Sequence, residues 1–155
     1  MAKYKTGIIG CGGIANGKHM PALSRMADVE MVAFCDIIPE RAEEARKKYG
    51  TADAKVYTDY RELLADPEID NVRVLTNNRM HAEITIAALD AGKHVICEKP
   101  MSLSYELCMN MCDEAKKNGK KLMVGFVRRF GNDTAVARDF IDAGSLGDIY
   151  YVKAN

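Results

Sequence analysis

The stretch Gly7-Ile8-Ile9-Gly10-Cys11-Gly12-Gly13-Ile14-Ala15 decides the fold. Lys5–Ile9 reads as a β-strand, and it runs into a G-x-G-x-x-A pattern at the point where a strand hands over to a helix. Small residues are needed at such a turn. Gly10 permits the tight bend, Gly12 lets backbone N–H groups approach a pyrophosphate, and Ala15 lets the helix pack close to the strand. The helix N-terminus then favours phosphate charge. Gly17 and Pro21 are poor interior residues, so the first helix is expected to be kinked or to begin only after Pro21.

Working outward, short apolar runs alternate with helical patterns. Strands are expected at Val29–Cys35, Lys55–Tyr57, Val72–Leu75, His94–Cys97 and Leu122–Phe126. The helix opening at Pro39 has Glu40, Glu43 and Glu44 near its positive end and Arg46, Lys47 and Lys48 near its negative end, with Gly50 as an expected left-handed cap. Asp59 with Glu62 resembles a capping box, and Pro67 closes that short helix. Further helices run from about Met80 to Asp90, stopping at Gly92, and from about Tyr105 to Lys117, stopping at Gly119. Regular alternation of this kind predicts an α/β fold, a doubly wound and mostly parallel sheet with helices on both faces. Arg73, inside the fourth strand, is out of pattern for a strand buried on both sides. The last segment, 148–155, reads as one more strand, expected to pair with the sheet or with a second copy of the chain in a homodimer. Residues 1–147 are then the dinucleotide-binding domain.

In an open parallel sheet, ligands bind beyond the carboxyl ends of the strands. Asp36 ends the second strand about 20 residues after the glycine turn, where a carboxylate accepts both hydroxyls of an adenosine ribose. A solvated Asp beside a turn is the bland alternative. An acid there favours NAD over NADP, because a 2′-phosphate would meet like charge; Arg41 nearby softens that preference. Thr76-Asn77-Asn78 follow the fourth strand, Glu98-Lys99-Pro100 the fifth and Arg128-Arg129 the sixth. One edge thus carries phosphate-binding backbone, a ribose acid, amides and a lysine.

Composition narrows the remaining classes. The 155 residues are 48% hydrophobic and 28% charged, with Lys plus Arg equal to Asp plus Glu at 22 each. The zero balance carries no footprint of a nucleic-acid binder or of an anionic-membrane binder. No apolar run approaches the ~20 residues of a membrane span. Five scattered cysteines are not a disulfide framework and point to a reducing cytoplasm. Cys108 and Cys112 lie four apart on a helix with Leu107, Met111 and Ala115, and read as core thiols rather than metal ligands. Cys11 reads as filler beside the turn, and His19 as local structure.

The glycine stretch, together with Ala91-Gly92-Lys93-His94-Val95-Ile96-Cys97-Glu98-Lys99-Pro100 and Val124-Gly125-Phe126-Val127-Arg128-Arg129-Phe130, resembles the Gfo/Idh/MocA oxidoreductases, the glucose–fructose oxidoreductase and inositol dehydrogenase family. The resemblance covers the whole chain. It implies a Rossmann domain that binds NAD through Gly10, Gly12, Gly13, Ile14 and Asp36, with Thr76 and Asn77 along the dinucleotide and Glu98 near the nicotinamide ribose. The small-molecule substrate would be a sugar, polyol or related hydroxyl or keto compound. By the same resemblance Lys99 lies near the nicotinamide and holds the substrate oxygen, and Lys99–Pro100 is a cis bond. His81 is either a cofactor or substrate contact or a helix-start histidine.

Two departures bear on the carry-over. The family's Thr-Pro-Asn is Thr76-Asn77-Asn78 here, which is expected to loosen that loop. Family members are also roughly twice as long, and their second domain supplies the substrate pocket and an Asp-x-x-x-His pair; the resemblance implies that 148–155 is the remnant first strand of that second domain, which this chain lacks. The one match to that spacing, Asp90 to His94, lies at the amino end of the fifth strand, on the wrong side of the sheet. Two functions therefore stay open: an oxidoreductase, or an NAD-binding module without turnover.

Overall fold

Six parallel strands are laid in the order β3-β2-β1-β4-β5-β6 in the computed structural model, which describes residues 3–153. They are β1 (Tyr4–Ile9), β2 (Val29–Cys35), β3 (Lys55–Tyr57), β4 (Asn71–Val74), β5 (His94–Cys97) and β6 (Leu122–Val124). The helices are α1 (Met20–Leu23), α2 (Pro39–Tyr49), α3 (Tyr60–Leu64), α4 (His81–Asp90), α5 (Tyr105–Lys117) and α6 (Asn132–Asp142). The doubly wound α/β expectation holds. β1 carries β2 on one side and β4 on the other, so the strand order reverses between β1 and β4, where doubly wound folds place their ligands.

Neighbouring residues on a strand point to opposite faces, and two cores result. Ile8 and Phe34 join Met20, Leu23, Ala42 and Ala45 on the face covered by α1 and α2. Ile9 and Cys35 join Leu63, Ile84, Leu89 and Met111 on the face covered by α3, α4 and α5. Residues up to Gly125 form one compact unit and those from Phe126 a second. The second unit has a 3₁₀ turn, Val127–Phe130, with Arg128 and Arg129, and then α6, none of whose residues is buried.

Several local expectations are corrected. Gly50 is not a left-handed cap, for its φ is −77° and its ψ 159°. The position is small because a Cβ would meet the Arg46 carbonyl oxygen at 2.7 Å, and Ala54 and Phe34 at 2.9 Å. Gly92 and Gly119 do take positive φ, 75° and 61°. Asp59 caps α3 by accepting from the Arg61 N–H at 2.8 Å, without a return bond from Glu62. The first helix, by contrast, follows the expectation of a kink or a late start: it is irregular ahead of Pro21. Pro21 has no N–H to offer, and Ala15–His19 is wound as a π turn that runs into α1. The expected strand 148–155 is absent over 148–153, where exposed, irregular chain completes no ladder; the last two residues lie outside those described. On α5, Met111 and Ala115 take the core, Leu107 is exposed, and Cys108 and Cys112 are half-buried. Arg73 stands beside Ile8 and Ile96 in the ladder; its buried Nε finds no acceptor, and burial pushes its pKa down.

Candidate functional site

Gly10 follows β1 directly, with φ +94°. A Cβ there would stand 2.7 Å from the Leu75 carbonyl oxygen and 2.9 Å from the Thr76 nitrogen. The glycine is therefore required twice, by its backbone conformation and by the approach of the chain leaving β4. Gly12 and Gly13 are different, for a Cβ at either would meet nothing within 4 Å. Their backbones border open space at the start of a helical turn, as a pyrophosphate cradle requires. Asn16 pins this turn: its side-chain amide donates to the Cys11 carbonyl at 2.8 Å and to the Gly12 carbonyl at 3.1 Å. Ala15 is fully buried, and Ile14 is 42% exposed beside the glycines.

Asp36, just past β2, is buried, and backbone donors orient it. Its Oδ2 accepts from the Cys11 N–H at 2.8 Å and its Oδ1 from the Ile38 N–H at 2.9 Å. The carboxylate thus ties the glycine turn to the start of α2. A carboxylate accepts about four hydrogen bonds, so Asp36 keeps acceptor capacity for a ribose. It borders a cavity of about 610 Å³ with Gly10, Gly12, Arg41, Tyr60 and Asn77. That is within the roughly 300–1,000 Å³ usual for cofactor sites. Cys11 is buried beneath the turn, and burial together with the Asp36 charge pushes its thiol up to about 12, which leaves no nucleophile there.

Thr76 is half-buried and Asn77 exposed. Asn77 adopts φ −67°, the value a proline ring would impose. His81 opens α4 but lies under the site. It is 1% exposed, with Nδ1 2.7 Å from the Pro100 carbonyl and Nε2 3.1 Å from the Thr76 carbonyl. Its ring ties the two loops together, with both nitrogens on backbone carbonyls. The Lys99–Pro100 bond is cis, and Lys99 is exposed.

Glu98 is buried, with both oxygens engaged. Oε1 meets His19 Nε2 at 2.8 Å and Oε2 accepts from the Lys99 N–H at 2.9 Å. Burial alone would raise this carboxyl, but the His19 contact, the Lys99 N–H and nearby positive charge outweigh it and hold it below its usual range. The sequence reading missed His19 as a partner. The signal was its position four residues after Ala15, on the side of the helical turn that faces the sheet. Asp90 and His94 stay apart from all this; His94 Nδ1 accepts from the Lys121 N–H at 3.0 Å. Among the described residues no helix is long and apolar enough to cross a membrane.

Known proteins resemble this chain in sequence and fold. The chain is 39% identical over 145 residues to inositol 2-dehydrogenase/D-chiro-inositol 3-dehydrogenase of Lactiplantibacillus plantarum, covering 92% of this chain and 41% of the relative. It is 39% identical over 150 residues to D-glucoside 3-dehydrogenase of Escherichia coli, covering 97% and 42%. Among solved structures, scyllo-inositol dehydrogenase of Lactobacillus casei with bound NAD(H) and scyllo-inositol superposes with a TM-score of 0.86 at 28% identity, over 95% of this chain and 43% of that one. A 3-ketoreductase from Actinomadura kijaniata with NADP gives the same TM-score and identity, over 95% and 46%. The chain therefore spans less than half the length of these relatives. The Gfo/Idh/MocA model, an oxidoreductase family with an NAD-binding Rossmann fold, matches residues 4–126, and the chain belongs to that family.

Proposed function

We propose that this chain is the cofactor-binding part of an NAD-dependent oxidoreductase that moves a hydride between the nicotinamide and a hydroxyl carbon of a sugar or polyol. The observation that carries the reading is the pair of open glycines, Gly12 and Gly13, set beside a backbone-oriented Asp36 on the same edge of the sheet. In this reading the N–H groups of Gly12, Gly13 and Ile14 hold the pyrophosphate, Asp36 the adenosine ribose, and Thr76 and Asn77 flank the dinucleotide. Bound NAD supplies the hydride acceptor. Lys99, exposed beside its buried neighbour Glu98, directs its ammonium to the substrate oxygen and stabilises alkoxide character as the hydride leaves. Residues 1–147 belong to the cofactor domain in this scheme.

Calorimetric titration with NAD and NADP separately tests the cofactor half. NAD at ~100 times its Kd should stabilise the fold by ~2.7 kcal/mol, with NADP binding more weakly. Failure of both to bind sinks the reading. Turnover over a panel of polyols and sugars tests the rest, and Lys99→Ala should abolish it.

A second reading, NAD binding without turnover, rests on the same cofactor edge of Gly12, Gly13 and Asp36, which needs no substrate contact. Tight NAD binding with no turnover on the whole panel would select it. We also propose self-association through Ile149-Tyr150-Tyr151-Val152, all exposed. Sedimentation of the chain across a concentration series should show a dimer, and a monomer throughout would end that idea.

A further inference from the structure

The exposed Lys99 follows a buried carboxylate whose side-chain partner lies far away in sequence. Glu98 leaves β5 with its own N–H on the Val74 carbonyl at 3.0 Å, so its backbone is fixed to the sheet. Its side chain turns back beneath the chain at Gly125, where a Cβ would meet Oε1 at 3.2 Å. There one oxygen accepts from the Lys99 N–H and the other faces His19 Nε2. An ionised carboxylate only accepts, so Nε2 carries the proton and donates. Both side chains of the pair are about nine-tenths buried, at 12% and 10% exposure. A carboxylate is costly to bury there unless its oxygens are occupied, and this one has a backbone N–H and an imidazole N–H. His19 ends the helical turn that starts just after Gly13. The segment that carries the open glycines therefore also holds the acid that holds the lysine.

We propose that His19 and Glu98 are positioning residues for Lys99, a relay that fixes the lysine loop relative to the glycine turn. The proposal rests on the reading of Lys99 as the substrate contact, while its geometry stands apart from that reading. His19 donates to Oε1, which orients the carboxylate so that Oε2 faces the Lys99 amide. Without the imidazole the carboxylate is free to rotate, and the amide loses its acceptor.

The Lys99 amide reports this directly. In the ¹⁵N-labelled full chain, its hydrogen exchange should rise at least about tenfold in His19→Ala and in Glu98→Ala, the change expected on losing a hydrogen bond to a charged group. His19→Gln restores a donor and should return Lys99 most of the way to wild type. The amides of Val72 and Val95, in the core of the sheet, should keep their wild-type protection. If His19→Ala folds poorly, His19→Asn, whose amide is too short to reach Glu98, replaces it. A Lys99 amide unchanged in the His19 variants overturns the proposal. So does loosening of Val72 and Val95 to the same degree, which would mark His19 as a general support of the fold. A wild-type chain that fails to bind NAD while showing the expected exchange pattern would instead sink the functional reading and leave the relay standing.

Discussion

Gly10→Ala should destabilise the chain by about 3 kcal/mol or more, while Gly12→Ala, two residues on, should cost less than about 1 kcal/mol. The difference lies in what surrounds each position. At Gly10 a methyl group has to occupy a backbone with φ +94° and stand 2.7 Å from a carbonyl oxygen that belongs to the chain leaving β4. Neither side can yield without moving the central strands. At Gly12 the methyl group enters open space. That space is where the proposed pyrophosphate lies, so Gly12→Ala should lower NAD affinity by about 10- to 100-fold in a protein of nearly wild-type stability. Denaturant unfolding and calorimetry read the two effects separately. A Gly10→Ala protein as stable as wild type would show that the contact with Leu75 is absent in solution. Unchanged NAD binding in Gly12→Ala would move the pyrophosphate elsewhere.

Asp36→Ala should act on stability and selectivity together. The variant leaves the Cys11 and Ile38 N–H groups without their acceptor. Losing two hydrogen bonds to a buried charge costs about 2–5 kcal/mol. It also removes the ribose acceptor and the negative charge that disfavours a 2′-phosphate, so NAD should bind more weakly and its advantage over NADP should vanish. Parallel titrations of wild type and variant with both dinucleotides check this. An NAD advantage that survives in Asp36→Ala would place the discrimination on another residue, with Arg41 next in line because it borders the same cavity.

The period of the apolar residues was enough to locate all six strands, and the glycine and proline signals located the ends of α2 and α5. Those features depend on neighbours within a few residues. What escaped depends on contacts that close over long stretches of chain. Gly50 has the ordinary look of a helix cap, and only the fold shows Phe34 and Ala54 crowding its α-carbon. Segment 148–153 has strand-forming side chains but no partner among the described residues, and a strand is made by pairing. In the site, Gly10, Gly12 and Asp36 were legible because their spacing follows from one strand, one helix and the next strand. Arg73 remained unexplained in the sequence, and the fold adds its unpartnered Nε without a reason for it. The Glu98–His19 contact joins residues 79 positions apart, which local pattern cannot reveal.

The central position of β1 has a consequence for how the chain is made. β1 is synthesised first, and β2 can close one of its edges as soon as a single crossover is complete. Its other edge waits for β4, whose Asn71 meets Thr6 across 65 residues. Pairings so distant in sequence form slowly, and an unpaired strand edge is a site of mispairing while it waits. The nascent chain is therefore most vulnerable at its most buried strand, until β4 has left the ribosome.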